Sequence, residues 1–137
     1  MGPLTSPTQQ LSPATLLVVE DEESVRRMCA RVLEGEGYRV LTAGDGLQAL
    51  DLLESDGAEI QLVITDLQMP RLNGLQLSAR LASSRMGPPV MFISGYNLEQ
   101  PTDRRILAKP FKPSDLVAVV QSMLGQSTPL QTEPRPY

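Results

Sequence analysis

Five polar residues each follow a short apolar run. Glu20 and Asp21 come after Leu16-Leu17-Val18-Val19, Asp66 after Leu62-Val63-Ile64-Thr65, Ser94 after Val90-Met91-Phe92-Ile93, and Lys109 after Ile106-Leu107-Ala108. Gathered at one place, three carboxylates, a hydroxyl and an ammonium would suit a divalent cation and a phosphoryl group. Two carboxylates about 5 Å apart repel by roughly 3 kcal/mol at an effective dielectric near 20. Such a cluster therefore calls for a proton or a cation. Oxygen-only donors in an open site suit Mg²⁺, which keeps some of its waters and accepts phosphate oxygens. An ionised Asp beside that cation can act as a nucleophile toward phosphorus. Phosphoryl transfer needs positioning and charge neutralisation more than acid-base help. Lys109 offers the opposing charge, and Ser94 a hydroxyl donor.

Taken singly, each signal has an ordinary explanation. Glu20 to Glu23 could be only the acidic start of a helix, and Asp66 and Ser94-Gly95 could be turn residues. Their joint position at the downstream ends of apolar runs is the specific feature. In an open parallel sheet, sites form in the crevice beyond the carboxyl ends of the strands.

The elements that would place them there can be read from periodicity. Leu16 to Val19 is a continuous apolar run, as expected of a strand covered on both faces. Val25, Met28, Cys29, Val32 and Leu33 follow at helical spacing and mark one face of an amphipathic helix, which Gly35 or Gly37 ends. Further strands are expected at Tyr38–Leu41, Ile60–Thr65, Val90–Ile93 and Ile106–Ala108. Further helices are expected at Leu47–Leu53, from Gly74 to about Ser84, and after Pro113, with Leu116, Val119, Val120 and Met123 inward and Gly125 closing. This alternation implies an α/β fold of the flavodoxin-like three-layer type, with a five-stranded parallel sheet in the order 2-1-3-4-5.

Composition narrows the function. The 137 residues fit a single domain, expected from Ala14 to Leu124. Met1 to Pro13 and Gly125 to Tyr137, rich in Pro, Ser, Thr and Gln, are expected to be linker or disordered tails. A formal charge of -4, two Phe and no Trp argue against direct nucleic-acid binding. No apolar run approaches the ~20 residues that span a bilayer, so no direct membrane contact is expected. The single Cys29 reads as a core residue of the first helix, consistent with a cytoplasmic setting. The chain has no His, hence no imidazole base, ligand or phosphohistidine of its own.

At these motifs the chain resembles the receiver domains of two-component response regulators, over essentially all of Ala14 to Leu124. Leu17-Val18-Val19-Glu20-Asp21-Glu22 is similar to the family's acidic pair. Asp66-Leu67-Gln68-Met69-Pro70 with Gly74 matches its D-x-x-M-P-x-x-x-G stretch, and Ser94-Gly95 and Lys109-Pro110-Phe111 match its hydroxyl and lysine motifs. The resemblance implies that Asp66 is the phosphoacceptor, forming 4-aspartylphosphate, and that Asp21 binds Mg²⁺ directly. Glu20 would bind mainly through water, and the Gln68 backbone carbonyl would complete the protein ligands. Ser94 and Lys109 would read the phosphoryl group, and the Lys109-Pro110 bond would be cis. The phosphodonor would be a histidine kinase or a phosphotransfer protein, and the wording of the motifs is most like receivers of hybrid sensor kinases. The domain would be no enzyme beyond its own phosphorylation and dephosphorylation, and monomeric in isolation.

Three features depart from the family pattern. Glu20 replaces the more usual Asp. Ile106 stands where an aromatic normally signals phosphorylation. Only Gly95 to Arg105 link the fourth strand to the fifth, which leaves the fourth of five helices shortened or absent. Ile106 and the short link keep alive the alternative of a receiver-like adaptor that binds partners without switching. An Asp-nucleophile phosphatase would need a second Asp two residues after Asp66, where Gln68 stands. A flavodoxin-like FMN carrier would have its phosphate repelled by Glu20 to Glu23.

Overall fold

The computed structural model describes residues 13–56, 59–67, 73–82, 88–95 and 106–125. Along the chain run β1 (Thr15–Val19), α1 (Glu23–Gly35), β2 (Arg39–Ala43), α2 (Gly46–Asp56), β3 (Ile60–Asp66), α3 (Gly74–Ala82), β4 (Val90–Ser94), β5 (Ile106–Ala108) and α4 (Pro113–Met123). The strands are all parallel and ordered β2-β1-β3-β4-β5, as the alternation of elements predicts. The two tails, but for Pro13 and Gly125, lie outside the described residues. So does 96–105, on which the expectation for the fourth of five helices falls.

Successive strand residues face opposite sides of the sheet, and the core divides accordingly. Leu16, Val18, Leu62, Ile64, Met91 and Ile93 pack with Cys29 and Leu33 of α1 and Leu116 and Val120 of α4. Leu17, Val19, Val63, Val90 and Phe92 pack on the other side with Ala49 of α2 and Leu77 of α3. Both faces of β1 are therefore dry, which explains its unbroken apolar run. Cys29 is fully buried in this core, where loss of solvation pushes its thiol up to about 11 and keeps it unreactive.

Local chemistry sets the helix ends nearest the crevice. Asp45 Oδ1 accepts the Gln48 N–H at 2.9 Å and caps α2. Asn73 and Gln76 exchange side-chain-to-backbone bonds of 2.9 Å in both directions, a capping box that starts α3. At the far ends, Gly37 adopts φ +96° just past α1 and Gly125 φ +75° past α4, left-handed stops that favour glycine.

Candidate cation and phosphoryl site

Sheet register brings the polar residues to one level. Val19 of β1 pairs with Thr65 of β3, Asp66 with Ile93 of β4, and Ser94 with Ala108 of β5. The residues that follow, Glu20 and Lys109, thus emerge at the same carboxyl edge as Asp66 and Ser94. The Lys109 N–H donates to the Ser94 carbonyl at 2.7 Å, extending the β4–β5 pairing beyond β5. The Lys109–Pro110 bond is cis.

Glu20, Asp66 and Ser94 are buried, at 1%, 5% and 1% exposure, whereas Asp21 is exposed. One carboxylate oxygen from each of Glu20, Asp21 and Asp66 lies within 4.8 Å of the others. Lys109 reaches over them from the end of β5, with Nζ 2.9 Å from Asp66 Oδ2 and 3.2 Å from Glu20 Oε1. Its stem passes Gly95, where an added β-carbon would sit 3.7 Å from Cδ.

Burial pushes the Glu20 carboxyl up to about 7. The Glu22 N–H, which donates to Glu20 Oε2 at 3.1 Å, pulls the other way, the Asp66 charge pushes further up, and Lys109 pulls down. Burial alone would lower the Lys109 ammonium, but its bond to Asp66 and the negative charges of Glu20 and Asp66 outweigh that and hold it above its ordinary value. Glu20 Oε1 is buried and has no hydrogen-bond partner: Lys109 is within ion-pair distance but not directed at it. A buried oxygen left unsatisfied is costly, and a divalent cation would satisfy it. Three carboxylates against one ammonium, with oxygen as the sole donor type, fit a hard ion such as Mg²⁺.

Beneath Asp66 lies a tight backbone contact that motif reading alone does not explain. A β-carbon on Gly74 would collide with the Asp66 carbonyl oxygen and would come within 3.1 Å of the Asp66 carbonyl carbon and of Leu67 Cα. The Gly74 N–H donates to the Leu67 carbonyl at 3.3 Å, and the Leu67 N–H to the Ile93 carbonyl at 3.0 Å. Thr65 Oγ1 donates to the same Asp66 carbonyl at 3.1 Å. The first turn of α3 is thus seated on the residue that carries the central carboxylate, and only glycine fits there.

Among the expected site residues, the structure brings Glu20, Asp21, Asp66 and Lys109 together and sets Ser94 at the same edge. Gln68 lies outside the described residues. Two contributors escaped sequence reasoning. Thr65 reads as one more member of an apolar run. Arg26, whose guanidinium Nη1 donates to the Glu20 carbonyl at 2.8 Å, reads as a surface residue beside the apolar face of α1. Next to the site, Val25, Met28, Gly95, Lys109, Pro110 and Phe111 line a groove of about 420 Å³.

Known proteins carry the same pattern. Residues 16–121 match the family described as the response regulator receiver domain. The sensor kinase CckA of Brucella abortus is 36% identical over 118 residues, covering 81% of this chain and 12% of the kinase. The alkaline phosphatase synthesis transcriptional regulatory protein SphR of Synechococcus elongatus is 36% identical over 151 residues, covering 96% of this chain and 58% of that protein. The chain thus spans less than two thirds of either relative. The crystal structure of the receiver domain from the hybrid histidine kinase CckA superposes with a TM-score of 0.69 at 38% identity, covering 80% of this chain and 98% of that one.

Proposed function

The chain belongs to the response-regulator receiver family of two-component signalling, and from that premise we propose that it takes a phosphoryl group from a phosphohistidine onto Asp66 in a Mg²⁺-dependent step. One observation carries the reading: Asp66 lies within 4.8 Å of two further carboxylates and is bonded by Lys109 Nζ at 2.9 Å.

A carboxylate oxygen of Asp66 forms the new P–O bond as the donor's P–N bond breaks. The electron pair leaves with the imidazole nitrogen, which takes up a proton. Glu20, Asp21 and Asp66 would hold Mg²⁺, which when bound would supply charge neutralisation for the phosphoryl oxygens. Lys109 supplies a second positive charge from the opposite side, and the Ser94 hydroxyl a hydrogen-bond donor. The donor is a histidine kinase or a phosphotransfer protein, and the groove of Val25, Met28, Pro110 and Phe111 beside Lys109 supplies apolar area on which its surface can rest. The domain turns over only its own phosphoryl group, works in the cytoplasm, and contacts neither nucleic acid nor membrane directly.

Partner binding without a phosphorylation switch is a second reading, favoured by Ile106. This residue is half-buried against the Phe92 side of the core and has no ring to reorient. Incubation with phosphoramidate, a P–N donor, and Mg²⁺ separates the possibilities. A receiver accumulates one hydroxylamine-labile phosphoryl group per chain. A phosphatase releases phosphate over many turnovers with little bound, and an adaptor binds its partner equally with and without the phosphoryl group.

A further inference from the structure

Lys109 and the cluster's own geometry account for Glu20 and Asp66, but not for Asp21. Its carboxylate is exposed and makes no hydrogen bond or ion pair among the described residues. Its direction therefore depends on the backbone from which it hangs. β1 ends at Val19, so the Glu20 carbonyl has left the sheet ladder. The Glu20 N–H is still held by the Ala43 carbonyl at 3.0 Å. The Glu20 carbonyl is held instead by Arg26, whose Nη1 donates to it at 2.8 Å from one turn into α1. That carbonyl and the Asp21 N–H belong to one rigid peptide plane. A charge-assisted bond to the carbonyl consequently fixes the plane that carries Asp21 Cα. The guanidinium lies beside the β2–α2 turn, where a β-carbon on Gly44 would be 3.5 Å from Nη1.

We propose that Arg26 is a positioning residue of the cation site. By gripping the Glu20–Asp21 peptide, it holds the Asp21 carboxylate within reach of Glu20 and Asp66 before the cation arrives. The inference rests on reading the carboxylate cluster as a Mg²⁺ site, and it makes a claim about sign. If Arg26 acted only through its charge, its removal would relieve repulsion of the incoming dication and tighten binding. If it positions Asp21, its removal weakens binding despite that relief. Groups that orient metal ligands from outside the coordination shell typically matter by about 10–100-fold in affinity.

The experiment titrates Mg²⁺ into the protein and follows amide chemical shifts for wild type, Arg26→Met, Arg26→Lys and Arg27→Met. Thermal melts in chelator run alongside. Arg27 pairs with Glu23 on the exposed side of α1, so its variant controls for loss of one positive charge. The expected result is binding about tenfold weaker in Arg26→Met, a smaller loss in Arg26→Lys, and no weakening in Arg27→Met. A merely structural role would lower the melting temperature and leave the affinity of the folded protein unchanged. Affinity in the Arg26 variants equal to or tighter than wild type overturns the proposal. If Arg26→Met does not fold, Arg26→Lys decides it, since wild-type affinity there has the same force. A wild-type protein that shows no Mg²⁺-dependent shifts overturns the underlying cation-site reading instead.

Discussion

Lys109 and Asp66, 43 residues apart in sequence, are joined by a single ammonium–carboxylate bond of 2.9 Å across the carboxyl edge of the sheet. The same ammonium lies 3.2 Å from Glu20, so one cation stands over two buried carboxylates. Its loss would leave those carboxylates facing each other, and the cost depends on whether one of them can take a proton. Lys109→Met is therefore expected to cost little stability at about pH 6 and more at about pH 8, on the order of 1–3 kcal/mol. The exposed fraction of Lys109, 22%, keeps this below the cost of breaking a fully buried pair. Denaturant melts of both proteins in chelator at the two pH values check it.

Glu20 gives the fold a pH dependence of definite sign. Its carboxyl titrates at 4.5 when unperturbed and at about 7 in the folded chain. A folded value raised above the unfolded one means stability that is present below about pH 4.5 and lost as pH climbs through about 7. The metal-free wild type should lose stability between about pH 5 and pH 8, and Glu20→Gln should flatten that decline. The comparison of interest is the difference between the two curves, since other groups titrate in both proteins. For the same reason, Mg²⁺ uptake near neutral pH should release a proton, and affinity should rise from about pH 6 to pH 8.

Gly74→Ala tests the seat beneath Asp66. The added methyl meets backbone, not a flexible side-chain end, so α3 must shift away from β3. A cost of about 1–3 kcal/mol is expected. Displacement of the Asp66 carbonyl should also slow phosphoryl uptake in the fraction that remains folded. Unchanged stability with unchanged uptake would show that the contact has no consequence.

Most of this arrangement was legible in the sequence, for identifiable reasons. β1, β3 and β4 are covered on both faces, so their apolar runs stand out and point directly to Glu20, Asp66 and Ser94 as the residues at their ends. The helical face of Val25, Met28, Cys29, Val32 and Leu33 packs as its spacing predicts. Periodicity predicts β2 at Tyr38–Leu41, whereas it runs Arg39–Ala43. It is an edge strand with Arg39 and Thr42 exposed, so no apolar run marks its limits. Periodicity predicts α2 at Leu47–Leu53, whereas it extends over Gly46–Asp56, because its last turn is polar and carries no apolar period. Arg26 and the Gly74 seat were hidden for a different reason. Both act through backbone atoms of other residues, and no pattern of side-chain types reports where a distant carbonyl points.

Cation binding should stabilise the fold, because the cluster it relieves exists only in the folded chain. At a free Mg²⁺ concentration of one hundred times the dissociation constant, the gain is about 2.7 kcal/mol. Thermal melts across a Mg²⁺ series should rise with the logarithm of concentration in wild type and much less in Asp21→Asn, which loses a charged ligand. Melts that coincide in chelator and in excess Mg²⁺ would contradict an assembled cation site.

We propose that Asp66 accepts the phosphoryl group and that it does so only with Mg²⁺. Intact-mass spectrometry after exposure to a small-molecule phosphodonor tests it most directly, on wild type and on Asp66→Asn, each with Mg²⁺ and with chelator. One added phosphoryl group is expected in wild type with Mg²⁺ and none in the other three samples. Equal phosphorylation of Asp66→Asn, or of wild type in chelator, would contradict it.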